Sequence, residues 1–471
     1  MSTGCPTGRY DLAVVGAGSA GFSAAITAAE QGAKVALIGH GTIGGTCVNV
    51  GCVPSKTLIR AAESLHNARV AARFAGICGE ATLNDWRTLV AQKDELVTSL
   101  RQARYVDLLP AYNTVAYVEG PARLARGGVE ADGELLGVGS TIVTTGASAA
   151  RPSIPGIEDV DYLTSTTALE LQALPRSMLV IGGGYVGCEL AQLFARAGVR
   201  VTLVCRTRLL PQGEPEISAA LAGYLREDGI DVRSGAAYRE IRRAGSGIAL
   251  DVGLNGAAAA LEAEVVLAAT GRRPNTDGLG LAEVGVALTH TGGIRVDEHL
   301  RTSNPAIYAA GDVTGRHQFV YMAAYGAKVA ALNALNGDAH RYDASAMPMV
   351  TFTDPQVATV GLSEAAARAE GIDVKTAVLP LDQLPRAIVA RDTRGLIKLV
   401  ADRATDRLLG AHILAPEGCD SIQTAALAIK HGMTARAFGE TIFPYLTTVE
   451  GLKLAAQSFD KDVTKLSCCA G

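Results

Sequence analysis

In Asp11-Leu-Ala-Val-Val-Gly-Ala-Gly-Ser-Ala-Gly21 an apolar run with the pattern of a buried strand meets three glycines, Gly16, Gly18 and Gly21. An alanine-rich helical stretch follows, and Lys34-Val-Ala-Leu-Ile38 reads as the next strand. This is the pattern of a βαβ unit that receives a dinucleotide. The phosphates sit at the helix N-terminus, where unpaired N–H groups and the helix dipole favour an anion. The pattern recurs: Met178-Leu-Val-Ile181 runs into Gly182-Gly-Gly-Tyr-Val-Gly187, a helix, and Val201-Thr-Leu-Val204. One glycine fingerprint is weak evidence, because glycine turns are common. Two of them, each set between strands, are strong. The chain binds two nucleotides, or one domain was duplicated and kept both functions.

Just downstream of the first turn stands Gly44-Gly-Thr-Cys-Val-Asn-Val-Gly-Cys-Val-Pro-Ser-Lys56, with Cys47 and Cys52 separated by four residues. That spacing is wider than a CxxC motif, yet a bend can bring the two Cα atoms within bridging range. A dithiol laid against a dinucleotide reads as redox-active. The alternatives are one buried and one incidental cysteine, or half of a zinc site. No second Cys or His pair lies nearby to complete the latter.

The 471 residues suffice for two to four domains, and 48% hydrophobic against 19% charged residues means a globular chain with a large core. A net charge of −4 carries no nucleic-acid footprint. No apolar run is long enough to span a bilayer, and Met1 to Tyr10 lacks a signal core, so a cytoplasmic protein is expected. Nine cysteines, an odd count, fit a reducing compartment with a few functional thiols.

Both βαβ units depart from the usual pattern at the end of their second strand, where a carboxylate ordinarily holds ribose hydroxyls. Gly39-His40 follows Ile38, and the later strand runs into Cys205-Arg206-Thr207-Arg208. Arg206 and Arg208 at that place favour a 2′-phosphate, hence NADPH over NADH. The alternative is a solvated turn that happens to carry two arginines. From about Asp343 the pattern becomes α+β. Strands are expected at Thr351–Pro355, Leu396–Val400 and Leu408–Leu414, and helices around 420–431 and 447–457.

Further markers are Thr144-Thr-Gly146, Ala268-Ala-Thr-Gly-Arg-Arg-Pro-Asn275 and Ile307-Tyr-Ala-Ala-Gly-Asp-Val313. Taken in order with the glycine turns and the dithiol, they resemble the pyridine nucleotide–disulfide oxidoreductases over nearly the whole chain. This is the group of glutathione reductase and dihydrolipoamide dehydrogenase. The resemblance implies an α/β fold with two Rossmann-like dinucleotide-binding domains and a C-terminal α+β dimerisation domain. FAD would occupy 1–150 and 274–342, NADPH would occupy 151–273, and 343–471 would form the interface of a homodimer with active sites shared between subunits. It further implies one FAD per subunit, with Thr46, Gly146, Gly271 and Asp312 at the cofactors. Cys52 would lie against the flavin with Cys47 as the outer thiol, Lys56 would pair with Glu189, and Tyr185 would gate the nicotinamide. Without the resemblance, Lys56 and Glu189 read as two unrelated helix-surface charges and Tyr185 as a packing residue.

Two departures narrow the branch. Disulfide reductases of this family carry a His-Pro-Thr segment followed by a Glu, and that His protonates the leaving thiolate. Here the stretch is Phe443-Pro-Tyr-Leu-Thr-Thr-Val-Glu450, with Tyr445 in place of the His. A phenol with a pKa of about 10 is a poor acid–base partner for a thiol at neutral pH. The chain also ends Leu466-Ser-Cys-Cys-Ala-Gly471, and adjacent Cys468 and Cys469 make good soft ligands. Their bland reading is incidental thiols. Both departures resemble the mercuric reductase branch. That resemblance implies Hg(II) as substrate, collected by Cys468 and Cys469 and passed to Cys47 and Cys52 of the other subunit, with Tyr445 and Tyr105 flanking the metal. The competing readings are a thioredoxin-reductase-like disulfide reductase, which keeps the His, and a non-catalytic mercury-sequestering flavoprotein. Cys78, Cys188, Cys205 and Cys419 are expected in the core, Cys5 is incidental, and His412 and His431 are structural.

Overall fold

The computed structural model describes residues 9–462 and 465, so Cys5, Cys468 and Cys469 lie outside the described residues. It divides into two compact units. The first comprises residues 1–57, 87–150 and 271–343, and the second comprises 58–86, 151–270 and 344–471.

The first unit is built on a parallel sheet in the order Val115–Glu119, Val35–Gly39, Tyr10–Val15, Glu134–Val143, with Ile307–Ala309 beside the last. Leu12, Ala13, Val14, Val35, Ala36 and Leu37 are fully buried, which is why these strands read as continuous apolar runs. Helix Ser19–Glu30 is rich in alanine because it packs closely on both this sheet and helix Val320–Asn336. Sequence expectation and structure agree on the strands here to within a residue.

In the second unit, Asp231–Arg233, Arg200–Val204, Ser177–Ile181 and Val265–Ala268 form a second parallel sheet. A three-stranded antiparallel sheet and a five-stranded antiparallel sheet follow. The latter runs Met349–Thr351, Gln356–Gly361, Leu408–Ala415, Leu396–Asp402, Val374–Pro380, and packs against helices Gly418–Lys430 and Glu450–Gln457. One expected strand is corrected: pairing stops at Thr351 rather than running to Pro355. The N–H groups of Phe352 and Asp354 go instead to Glu189 Oε1 and Gln192 Oε1, each at 2.8 Å, and Pro355 has none to offer.

Two clusters of buried charge in this unit are paired, as their desolvation requires. Arg196 bonds Asp228 at 3.0 Å and Asp354 at 2.8 Å. Lys398 Nζ lies 2.9 Å from each of Glu214, Glu216 and Glu364, so a lysine supplies the cation among three carboxylates close enough to hold a metal. Cys188 and Cys205 are buried as expected, but Cys78 is exposed, which corrects its assignment to the core. It lies in the stretch after Ala71–Arg73 that forms no regular element and buries little apolar surface. Among the described residues, no helix is long and apolar enough to cross a membrane.

Candidate active site

The first glycine turn is shaped by close approach. Gly16 has φ +119°, and a Cβ on Gly21 would stand 1.7 Å from the Gly16 carbonyl oxygen. Helix Ser19–Glu30 starts at Gly18 with no side chain capping it, which leaves its first N–H groups for a ligand phosphate. The dithiol stretch is laid directly beside this turn: Gly44 N donates to Ala17 O at 2.9 Å. Thr46 and Cys47 lie in the short helix Gly45–Asn49, and Cys52 begins helix Cys52–Arg69. Between them Gly51 permits the chain to double back, since a Cβ there would lie 2.9 Å from Thr46 O and 3.3 Å from the Cys47 Cα.

Both cysteines are free thiols, half-buried, and in contact. A hydrogen bond with Cys52, with burial second, pushes the Cys47 thiol well above the usual range, and Lys56 one turn along the helix pulls weakly the other way.

Tyr105 enters the same locality from the π-helical turn Gln102–Val106. Its hydroxyl lies 3.2 Å from Ser19 Oγ, and its ring packs edge-on to Phe22 at 4.9 Å. Burial raises its pKa, and negative charge on Cys47 and Cys52 adds to the rise, so the phenol senses both sulfurs. Gly146, at φ +72°, accepts a bond from Asn275 N at 2.9 Å, and Gly271 accepts one from Ala150 N at 2.9 Å. Asp312 follows strand Ile307–Ala309, and burial raises its pKa against the pull of Arg272, whose Nε is 3.7 Å away. Sequence reasoning missed Arg272 and Ser19. Both lie inside motifs given above, but nothing local signalled their partners.

The second glycine turn repeats the device. A Cβ on Gly187 would stand 1.9 Å from Gly182 O, and helix Tyr185–Arg196 begins at Gly184, again without a side-chain cap. Tyr185 is thus the first helical residue, and Glu189, one turn on, is buried. Arg206 and Arg208 are exposed beyond strand Arg200–Val204. Arg208 donates to Pro211 O at 3.0 Å and Gly213 O at 2.8 Å, so its guanidinium braces its own loop.

In the same unit Tyr445 is half-exposed in the turn before helix Glu450–Gln457. Leu446 has φ +62°, a left-handed conformation unfavourable for leucine. Buried Glu450 sustains it: Oε2 accepts from Leu446 N at 3.2 Å, while Thr447 Oγ1 donates to Pro444 O at 2.7 Å. With no histidine to orient, this carboxylate holds the turn that carries Tyr445.

Two dinucleotide folds, a dithiol beside the first glycine turn and a third, antiparallel domain define a flavin- and pyridine-nucleotide-dependent dithiol oxidoreductase. The chain belongs to the pyridine nucleotide-disulphide oxidoreductase family: residues 10–327 match that family and residues 347–456 match its dimerisation domain. Within the family it groups with the mercuric reductases. It is 48% identical over 471 residues to the mercuric reductase of Streptomyces lividans, covering 98% of both chains. It is also 48% identical over 465 residues to that of Lysinibacillus sphaericus, covering 98% of this chain and 85% of the relative. Among solved structures, the Cu(II) complex of the HOCl-induced flavoprotein disulfide reductase RclA from Escherichia coli superposes with a TM-score of 0.84 at 29% identity, over 96% of this chain and 99% of that one.

Proposed function

We propose that this chain is an NADPH-dependent FAD enzyme that reduces Hg(II) to Hg(0) as a means of mercury detoxification. The observation that carries the reading is Tyr445 where a disulfide reductase needs an acid, in a chain that keeps both cysteines of the dithiol. Cleaving an organic disulfide releases a thiolate that must be protonated. Reducing a thiolate-bound Hg(II) does not: the electron pair goes to the metal, Hg(0) departs, and both sulfurs remain as thiolates. Loss of the acid therefore costs the metal reaction nothing and impairs the disulfide reaction.

FAD fits the first unit, where the uncapped helix N-terminus over Gly16 and Gly18 suits a pyrophosphate, and Asp312 would contact its ribityl–phosphate region. When bound, the flavin takes a hydride from the nicotinamide and passes an electron pair onward. The chain's own residues do the rest. Gly182, Gly184 and Gly187 seat the NADPH pyrophosphate, and Tyr185 gates the nicotinamide. Lys56, supported by Glu189, supplies positive charge near the flavin. Cys47 and Cys52 lose their protons to solvent or to the departing thiolate ligands, and as thiolates hold Hg(II) as a soft, two-coordinate ion. Tyr105 and Tyr445 of the two subunits bound the metal and offer hydroxyls. Cys468 and Cys469 of the partner subunit deliver the metal by stepwise ligand exchange, so it is never released. The reaction needs its cysteines as thiols, which a reducing, cytoplasmic location provides.

Replacing both tail cysteines (Cys468→Ala, Cys469→Ala) tests the delivery step. With Hg(II) buffered by excess thiol, turnover falls about tenfold or more while flavin reduction by NADPH is unchanged. Unaltered turnover would remove the tail from the mechanism.

The two arginines should separate. Arg206→Ala raises the KM for NADPH roughly ten- to a hundredfold and leaves NADH nearly unaffected, as expected for a lost charge-assisted contact to a 2′-phosphate. Arg208→Ala does less to KM, because its donors already serve Pro211 and Gly213. Equal loss with NADH in the Arg206 variant would contradict the assignment.

A further inference from the structure

The first βαβ unit lacks the carboxylate expected at the end of its second strand, where Gly39 and His40 stand. The fold shows what has taken its place. A Cβ on Gly39 would lie 2.6 Å from the Tyr117 hydroxyl, 2.9 Å from its Cε2 and 2.7 Å from the Ala17 Cβ. The Tyr117 ring therefore fills the space that a side chain at position 39 would occupy, and it does so beside the glycine turn, since Ala17 lies between Gly16 and Gly18.

Tyr117 reaches this point because its strand, Val115–Glu119, runs parallel to Val35–Gly39 in a register that sets Tyr117 opposite Leu37 and Glu119 opposite Gly39. Residues 117 and 119 share a face of the sheet by the two-residue period of a strand. The Glu119 carboxylate is close enough that its charge, after burial, adds to the rise in the Tyr117 pKa. The Tyr117 hydroxyl has no hydrogen-bond partner among the described residues, although the residue is only partly exposed. A half-buried phenol with an unused donor and acceptor, an adjacent carboxylate and a neighbouring phosphate-binding turn make a site for a vicinal diol.

We propose that Tyr117 and Glu119, from the third strand of the sheet, hold the adenosine ribose hydroxyls of FAD in place of the carboxylate that the second strand lacks. The inference rests on the reading that FAD is the flavin. Glu119 accepts from the two hydroxyls, and Tyr117 donates to one of them. Gly39 is then a requirement of the arrangement, because any side chain there would displace the Tyr117 ring.

The test is flavin release and rebinding, followed by flavin fluorescence on the purified holoenzyme and its variants, with FMN as the comparison because it lacks the adenosine half. Tyr117→Phe should weaken FAD about three- to tenfold, as for one neutral hydrogen bond, and Glu119→Gln about ten- to a hundredfold, as for bonds to a charge. FMN binding should not change in either variant, and His40→Ala should change neither flavin. Unchanged FAD release in both variants would overturn the inference and leave the FAD reading intact. Equal weakening of FAD and FMN would also overturn it, since the defect would then lie in the shared flavin half. If the parent protein holds FMN as tightly as FAD, the adenosine half is not bound at all, and the FAD reading falls with the inference.

Discussion

Cys52→Ser is expected to lower Hg(II) reduction by about a thousandfold or more, because a serine hydroxyl is neither a soft ligand nor ionised at neutral pH. NADPH should still bleach the flavin at its ordinary rate, since hydride reaches the flavin before any thiol takes part. Cys47→Ser should give the same loss of metal turnover, with the flavin again reduced normally. The two sulfurs act as a unit: Gly51 folds the chain so that they meet, and Cys47 is hydrogen-bonded to Cys52. Measuring flavin absorbance and Hg(II)-dependent NADPH oxidation on the same samples separates the two half-reactions. Metal turnover surviving in either single variant would show that the dithiol is not where the metal is reduced.

Gly187→Ala should have the next largest effect, confined to the pyridine nucleotide. The added Cβ would come within 1.9 Å of Gly182 O, a backbone atom that cannot turn aside, so the helix must withdraw from the strand that feeds it. Overpacking of this kind costs about 1–3 kcal/mol, and the displaced turn also loses its grip on the pyrophosphate. The KM for NADPH should rise at least tenfold. Flavin content and flavin reduction by dithionite should stay normal, because Gly187 and the first glycine turn belong to different units. A parallel loss of flavin would mean that the whole chain, and not the second nucleotide site, was disturbed.

The parts legible in the sequence are those written in local order. Strand, glycine turn and helix follow one another within about twenty residues, and both copies stand where their apolar runs and glycines place them. The departure at Tyr445 could be read because it falls in a short motif, and its role is a proposal. What escaped is set by contacts between segments far apart in the chain. Tyr105 was named, but its ties to Ser19 and Phe22, like that of Arg272 to Asp312, come from side-chain geometry that has no local signature. Tyr117 is the clearest case: Gly39 read as a missing group, and only the register of the neighbouring strand shows what fills the gap. The strand expected at Thr351–Pro355 failed for a related reason. Its β-compatible residues give their N–H groups to Glu189 and Gln192, some 160 positions earlier in the chain.

The most direct test of the central claim is NADPH oxidation by the purified flavoprotein with Hg(II) in excess thiol, run beside oxidised glutathione, lipoamide and oxidised thioredoxin. The account predicts oxidation driven by Hg(II), with volatile mercury leaving the solution, and little or none driven by the three disulfides. Rapid oxidation with a disulfide and none with Hg(II) would contradict it. Tyr445 would then not mark a lost acid, and the tail cysteines would be an electron relay.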